Sequence, residues 1–411
     1  VSAGTNAAPP VALYVHIPFC ISLCPYCDFV VYAGAAARGP RNRVAAFVAA
    51  LATELGLRAD ALDARWGAGR PPLETLYLGG GTPSLLPSDG IAELIERVRE
   101  RFGLAAGAEV TIEANPGPDE RGAAPALARA GVTRISFGAQ SLDEAELRRL
   151  GRRHRPGDVA DAVAAARAGG IGSVSVDLLY DVPGGSMATW AATLEATLRL
   201  APDHLSLYAL TLDDPDAEGL TGATGDHLPT TSGARRWRAT ARADQDDDRA
   251  AEQYLHAVDR LAADGWRGYE ISNWSRPGHE SRHNLMYWTR RPYEAVGPGA
   301  HAFDGRVRSW NAARLDGYLA ALAPASAGPA RLPPGGQETL DGATAAAEVM
   351  VLGLRTDRGV AAGPALAAGS PFAEALAWGA ANGLVEPTAD GRIVLTTRGR
   401  LLSNELFARL L

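Results

Sequence analysis

All three cysteines of the 411-residue chain fall within eight positions, at Cys20, Cys24 and Cys27, inside Tyr14–Phe29, which reads YVHIPFCISLCPYCDF. Thiols crowded together in the spacing Cys-x3-Cys-x2-Cys are ligands rather than disulfide staples. Three thiolates can hold a [4Fe–4S] cube by three irons and leave the fourth open. Such a corner suits a chelating cosubstrate better than simple electron transfer. A competing chemistry is a Cys3His zinc site, because His16 lies four residues before Cys20.

Thiols at such a site need a rigid frame, and the following sequence supplies one. Strand-like runs at Val11–His16, Thr75–Leu78, Glu109–Glu113, Val132–Phe137, Ser173–Leu179 and His204–Ala209 alternate with amphipathic helices. Ile91, Leu94, Ile95, Val98 and Phe102 form one helical stripe, with Ser88 as its expected N-cap, and Ser141-x-x-Glu144 is expected to act as a capping box. Six βα units with near-continuous apolar strands predict an α/β fold, a parallel sheet rolled into a partial (β/α)6 barrel over residues 11–211. In such folds chemistry gathers at the C-terminal strand ends.

The polar signals fall at that rim. The cysteine loop follows the first strand and Gly79-Gly80-Gly81-Thr82-Pro83 the second; Glu113 ends the third, Gln140 follows the fourth, and Asp177 lies near the end of the fifth. The glycine triplet lacks the GK[ST] of a phosphate loop, so it reads as a tight turn or as bare backbone for a cosubstrate's amino group. Glu113, Gln140 and Asp177 read either as structural polar groups or as ligand contacts. Arg152 is a further contact or one more surface charge in the run Arg148–Arg155.

Beyond the barrel, residues 212–250 are rich in Asp, Gly, Thr and Ala and read as a linker, lid or insertion, after a short tail at 1–10. Their Asp246-Asp247-Asp248 is either an acidic metal run or a helix start. Residues 251–322 extend the barrel, 323–336 form a linker, and 337–411 are expected to build a small winged-helix-like α+β domain. A net charge of −7 and the lack of basic density argue against nucleic acid. No secretory signal and no apolar run near ~18 residues is visible, so the expected location is cytoplasmic.

The stretches YVHIPFCISLCPYCDF, LGGGTPS, TIEANP, RISFGAQS, VDLLYDVPG and RHNLMYW together resemble the HemN/HemW family of radical S-adenosylmethionine (SAM) proteins, over roughly residues 11–310. That family comprises oxygen-independent coproporphyrinogen III oxidases and haem chaperones. The resemblance implies that Cys20, Cys24 and Cys27 ligate a [4Fe–4S] cluster. It implies that Tyr14, Tyr26, Gly80, Gly81, Thr82 and Glu113 surround a first SAM, with Tyr26 against the adenine. Gln140, Arg152 and Asp177 match positions lining the oxidases' second SAM site.

Two departures point away from the oxidase branch: Phe29 stands where the oxidases resemble one another in a further functional cysteine, and the motif begins within twenty residues of the start. His283-Asn284-Leu285-Met286-Tyr287-Trp288 resembles the HNxxYW signature of the haem chaperones. His283 can ligate haem iron and the two aromatic residues can cover the macrocycle. His279, His301 and Met286 are alternative axial ligands, and a core cluster around a hydrogen-bonded histidine is the plain alternative. The implied function is a chaperone that binds haem, a [4Fe–4S] cluster and SAM and delivers haem to respiratory acceptor proteins. That reading leaves open a homodimer and transient contact with membrane-bound acceptors. The alternatives are radical oxidative decarboxylation of coproporphyrinogen III propionates to vinyl groups, and a zinc-stabilised binding protein.

Overall fold

The main strands are buried on both faces, and the two faces differ in kind. In RISFGAQ, Ile135, Phe137 and Ala139 all sit within the main core. Arg134, Ser136, Gly138 and Gln140, alternating with them, line a central cavity. In SVSVDLLY, Val174, Val176 and Leu178 take the core side and Asp177 the cavity side. The expected near-continuous apolar strands are therefore corrected: most alternate residues are polar or glycine, because the inner face surrounds a cavity instead of another hydrophobic layer.

The computed structural model describes residues 7–34, 43–212, 215–323, 329–367 and 369–411. In chain order the strands of the large sheet are β1 (Ala12–Ile17), then, after the small parallel pair β2 (Phe19–Cys20) and β3 (Tyr32–Ala33), β4 (Leu73–Gly80), β5 (Leu104–Ala114) and β6 (Arg134–Gln140). They continue as β7 (Ser173–Tyr180), β8 (His204–Ala209), β9 (Arg267–Gly268), β10 (Asn273–Ser275) and β11 (Tyr293–Val296). The last are β12 (His301–Phe303), β13 (Val307–Asn311) and β14 (Gly335–Thr339).

Their spatial order is β14-β13-β12-β11-β1-β4-β5-β6-β7-β8-β10-β9. From β11 to β8 the pairing is parallel, and both flanks are antiparallel. Six of the parallel strands lie where the sequence places them; the seventh, β11, joins β1 from the far end of the chain. β14 pairs with β13, so Gly335–Thr339 belongs to the large sheet, and a linker ending at 336 is corrected.

Helices cover the outer face. Helix Ser88–Phe102 buries Ile91, Leu94, Ile95, Val98 and Phe102, and at about 1.5–3 kcal/mol for each large side chain this stripe decides which face turns inward. Pro87, not Ser88, holds its N-cap position. Asp143, not Ser141, caps Glu144–Arg149, accepting from the N–H groups of Ala145 and Glu146 at 2.8 and 2.9 Å. Asp246 caps Asp247–Ala263 through the N–H groups of Asp248 and Arg249, so the acidic run is a helix start. The segment read as a linker at 212–250 contains a further helix, Ser232–Arg242.

Near the C-terminus, β15 (Val360–Ala361), β16 (Val385–Pro387) and β17 (Arg392–Leu395) form a small sheet, ordered β15-β17-β16. With helices Gly342–Arg355, Ala373–Ala381 and Ser403–Leu410 it encloses a second core around Leu354, Leu376, Ile393 and Leu406. No described helix is long and apolar enough to cross a membrane.

Candidate cluster and cosubstrate site

The cysteine loop is closed at its base. β2 pairs with β3, and Tyr32 N–H donates to Pro18 O at 2.6 Å. Within the loop Cys27 N–H donates to Cys24 O at 3.2 Å. All three thiols face one cavity of about 650 Å³. Burial pushes the Cys20 thiol up to about 11, against the pull of the Thr82 hydroxyl 3.5 Å away, and it pushes Cys27 up further. With their pKa values raised, Cys20 and Cys27 stay protonated unless a cation replaces their protons, as iron does.

The cavity gathers most of the residues singled out from the sequence. Tyr26, Gly80, Gly81, Thr82, Glu113, Gln140, Arg152 and Asp177 all line it together with the three cysteines. Tyr14 does not. Its ring lies behind Gly79, 3.0 Å from where a Cβ would stand, and its hydroxyl pairs with His16 Nδ1 at 3.0 Å. Gly80 adopts φ 109°, with the His16 ring filling the space a side chain would need; a Cβ at Gly81 would come 2.7 Å from Phe19 O. The N–H groups of Gly80, Gly81 and the following Thr82 are taken: Gly80 donates to Glu113, Gly81 to Ile17 O and Thr82 to Phe19 O. These glycines let β4 press against β1 and the cysteine loop.

Glu113 accepts from Tyr77 OH and Gly80 N–H, each at 2.8 Å, and burial raises its pKa to about 7. Burial raises Asp177 as well, opposed by hydroxyls including that of Ser136 at 3.0 Å. Gln140 projects from a left-handed residue, φ 68°, at a bulge of β6. Arg152 donates to Gly138 O at 2.6 Å, to Asn115 Oδ1 at 2.5 Å and towards Cys24 Sγ at 3.5 Å. Burial works against the charge of its guanidinium, but Tyr26, Cys24 and Glu120 around it more than offset that.

Two partners were not singled out in the sequence. Asn115 ties Arg152 to Thr82 and Glu120, donating at 3.1 and 2.9 Å; its position just past β5, two residues after Glu113, was the available signal. Helix Ser232–Arg242 lays Arg238 over the cysteine loop. Its guanidinium donates to the carbonyls of Pro25, Tyr26 and Cys27 at 3.1, 3.3 and 2.9 Å. Neighbouring Trp237 donates to Arg149 O at 2.9 Å, and its ring lies 6.3 Å from that of Tyr26. In sequence the helix reads as linker because its buried positions, Arg238 and Ala241, carry no large aliphatic side chain.

The zinc reading loses its histidine. His16 has both ring nitrogens engaged, Nδ1 with Tyr14 and Nε2 with Val30 O at 2.8 Å. Among the described residues no three His, Cys, Asp or Glu side chains converge on a single ion. A cube of four irons spreads its ligands more widely than one ion does, and the three thiols of one loop suit it as a donor set. Cys20, Cys24 and Cys27 would hold such a cluster, which when bound supplies one-electron chemistry to a sulfonium cosubstrate.

The structure also revises His283. It is buried, outside the cavity lining, with Nδ1 on Thr75 Oγ1 and Nε2 on Tyr287 OH, both at 2.8 Å. No ring nitrogen is left for an iron. Of its motif Asn284 reaches the cavity, while Trp288 stacks under Arg355 at 4.5 Å. Among the alternative axial ligands, Met286 is core, and His279 pairs through Nδ1 with Ser173 Oγ at 3.1 Å. His301 pairs through Nε2 with Asp226 at 2.8 Å.

Residues 14–197 match the profile of the Radical SAM superfamily. The chain is 38% identical over 402 residues to the haem chaperone HemW of Mycobacterium tuberculosis, covering 98% of this chain and 95% of that one. It is 37% identical over 303 residues to the haem chaperone HemW of Escherichia coli strain K12, covering 73% and 72%. The chain belongs to the HemN/HemW family of radical SAM proteins. Its fold resembles that of the coproporphyrinogen III oxidase HemN of Escherichia coli, with TM-score 0.78 and 24% identity over 99% of this chain and 92% of that one. Membership of this superfamily implies a [4Fe–4S] cluster and SAM.

Proposed function

We propose that this protein is a radical SAM-type haem chaperone, working in the cytoplasm, that binds haem, a [4Fe–4S] cluster and SAM and hands haem to respiratory acceptor proteins. The near full-length likeness to a chain named haem chaperone carries the reading. Phe29 supports it: at the position where the oxidases resemble one another in a further cysteine, this chain presents an apolar ring, 61% exposed, at the cavity wall. A thiol there could donate hydrogen or bind metal; a phenyl ring can do neither, but it can cover an apolar macrocycle. In this reading Cys20, Cys24 and Cys27 hold the cluster, Glu113 with Tyr26, Gly80, Gly81 and Thr82 surrounds a first SAM, and Gln140, Arg152 and Asp177 match the second SAM site.

The test is a pair of assays on the anaerobically reconstituted full chain. Titration with haem is expected to saturate at a fixed stoichiometry. Incubation with coproporphyrinogen III, SAM and reductant is expected to return the tetrapropionate unchanged. Accumulation of a divinyl product would replace the chaperone by the decarboxylase.

A further inference from the structure

Arg134 opens β6 on the cavity side of the sheet, and only 3% of it is exposed. Among the described residues its side chain makes no hydrogen bond and no ion pair, and its Nε is fully enclosed without a partner. The acceptors around it are engaged elsewhere. Glu109 takes the N–H groups of Arg282 and His283 at 3.0 and 2.9 Å. Asp177 takes the Ser136 hydroxyl at 3.0 Å, and Tyr77 donates to Glu113 at 2.8 Å. The Tyr269 hydroxyl meets His204 Nε2 at 2.8 Å and Ser281 N–H at 3.3 Å. Glu109 and Asp177 favour the charge of Arg134 only from beyond ion-pair reach.

Arg152, in the same cavity, shows what a satisfied guanidinium looks like there, with three acceptors around it. A guanidinium enclosed without acceptors is costly, because charge removed from water must be paired and hydrogen-bonded. The missing partner is an anion. A planar fork matches a carboxylate at both oxygens. We propose that Arg134 is the seat for a carboxylate arm of the organic ligand that fills this cavity. On the chaperone reading, on which this choice of ligand rests, the arm is a haem propionate. The methionyl carboxylate of SAM is the other source of the same chemistry.

The test compares wild type, Arg134→Gln and Arg134→Lys, each full length and anaerobically reconstituted, by titration with haem, with haem dimethyl ester and with SAM. Losing a charge-assisted carboxylate contact is expected to weaken haem by about tenfold or more in Arg134→Gln. The diester, which has no carboxylate, is expected to bind wild type and Arg134→Gln alike. Arg134→Lys keeps the charge and is expected to recover part of the affinity. A loss confined to SAM assigns the seat to the methionyl carboxylate instead. Equal affinities of wild type and Arg134→Gln for haem and for SAM overturn the proposal. Should Arg134→Gln not fold, wild type decides alone: the diester and decarboxylated SAM each binding as tightly as the parent acid overturn it. Wild type that takes up no haem sinks the chaperone reading and leaves SAM to judge Arg134.

Discussion

The cysteine loop and the His283 cluster are both dense runs of ligand-type and aromatic residues, yet the fold treats them in opposite ways. The loop turns three thiols into a cavity of about 650 Å³, where Thr82 and Arg152 donate to two of them. The cluster closes on itself, each nitrogen of His283 facing a protein hydroxyl at 2.8 Å. Residue type and spacing declare what a side chain can bind. Whether its lone pairs are free is decided by neighbours far away in sequence, such as Thr75. The sharpest contrast comes from Cys24→Ser. Iron in the reconstituted protein is expected to fall from about four per chain to near zero, with the brown absorption, while the iron-free chain unfolds within about 1 kcal/mol of wild type.

His283→Ala should do the reverse. It leaves the Thr75 and Tyr287 hydroxyls without their partner and opens a void in the core, at a cost of about 2–4 kcal/mol in urea unfolding. Haem affinity of the folded fraction is expected to stay within about twofold of wild type. A variant that keeps its stability and loses haem would break the comparison. The acid limb adds a check. Burial lowers His283 to about 3, so the unfolded chain takes up its proton first as pH falls. The associated stability is present above about pH 6.5 and lost from there towards 3, and His283→Ala should remove that share.

What could be seen in the sequence follows the same division. The six βα strands were legible because Ile135, Phe137, Val174 and Val176 are apolar runs with helices between them, and the rim chemistry followed from strand order. The polar inner layer was not, since Ser136 and Asp177 look like interruptions until the sheet is seen to surround a cavity. β11 escaped because four residues, Tyr293–Val296, pair with a strand 281 positions earlier. Tyr14 sits on the correct strand and beside the correct glycines, but a layer behind the lining. Only packing distinguishes these cases.

Within the cavity wall Glu113 is a smaller lever. Burial raises it to about 7, so between roughly pH 4.5 and 7 the folded chain keeps a proton that the unfolded chain has released. That contribution is present below about pH 4.5 and lost as pH rises through about 7. Asp177, raised by the same cause, acts in the same sense. Glu113→Gln is expected to flatten the dependence by about 1–3 kcal/mol between pH 5 and 8 in denaturant midpoints. If Glu113 receives the ammonium of SAM, affinity in wild type climbs across pH 7, and the variant loses that slope.

The smallest expected effect tests whether the loop's order is its own or borrowed. Arg238 gathers three loop carbonyls under one buried guanidinium, and Trp237 fixes the same helix to Arg149 O. Arg238→Gln can satisfy at most part of that set, costing about 1–2 kcal/mol, little of which need appear in global unfolding if the loop opens separately. Iron content after reconstitution should match wild type, because the three thiols are untouched. Release of iron to a chelator should be several-fold faster, because each excursion of the loop now breaks fewer bonds. Equal release rates would mean that β2, β3 and the loop's internal turn suffice, and that Ser232–Arg242 merely covers a site already held.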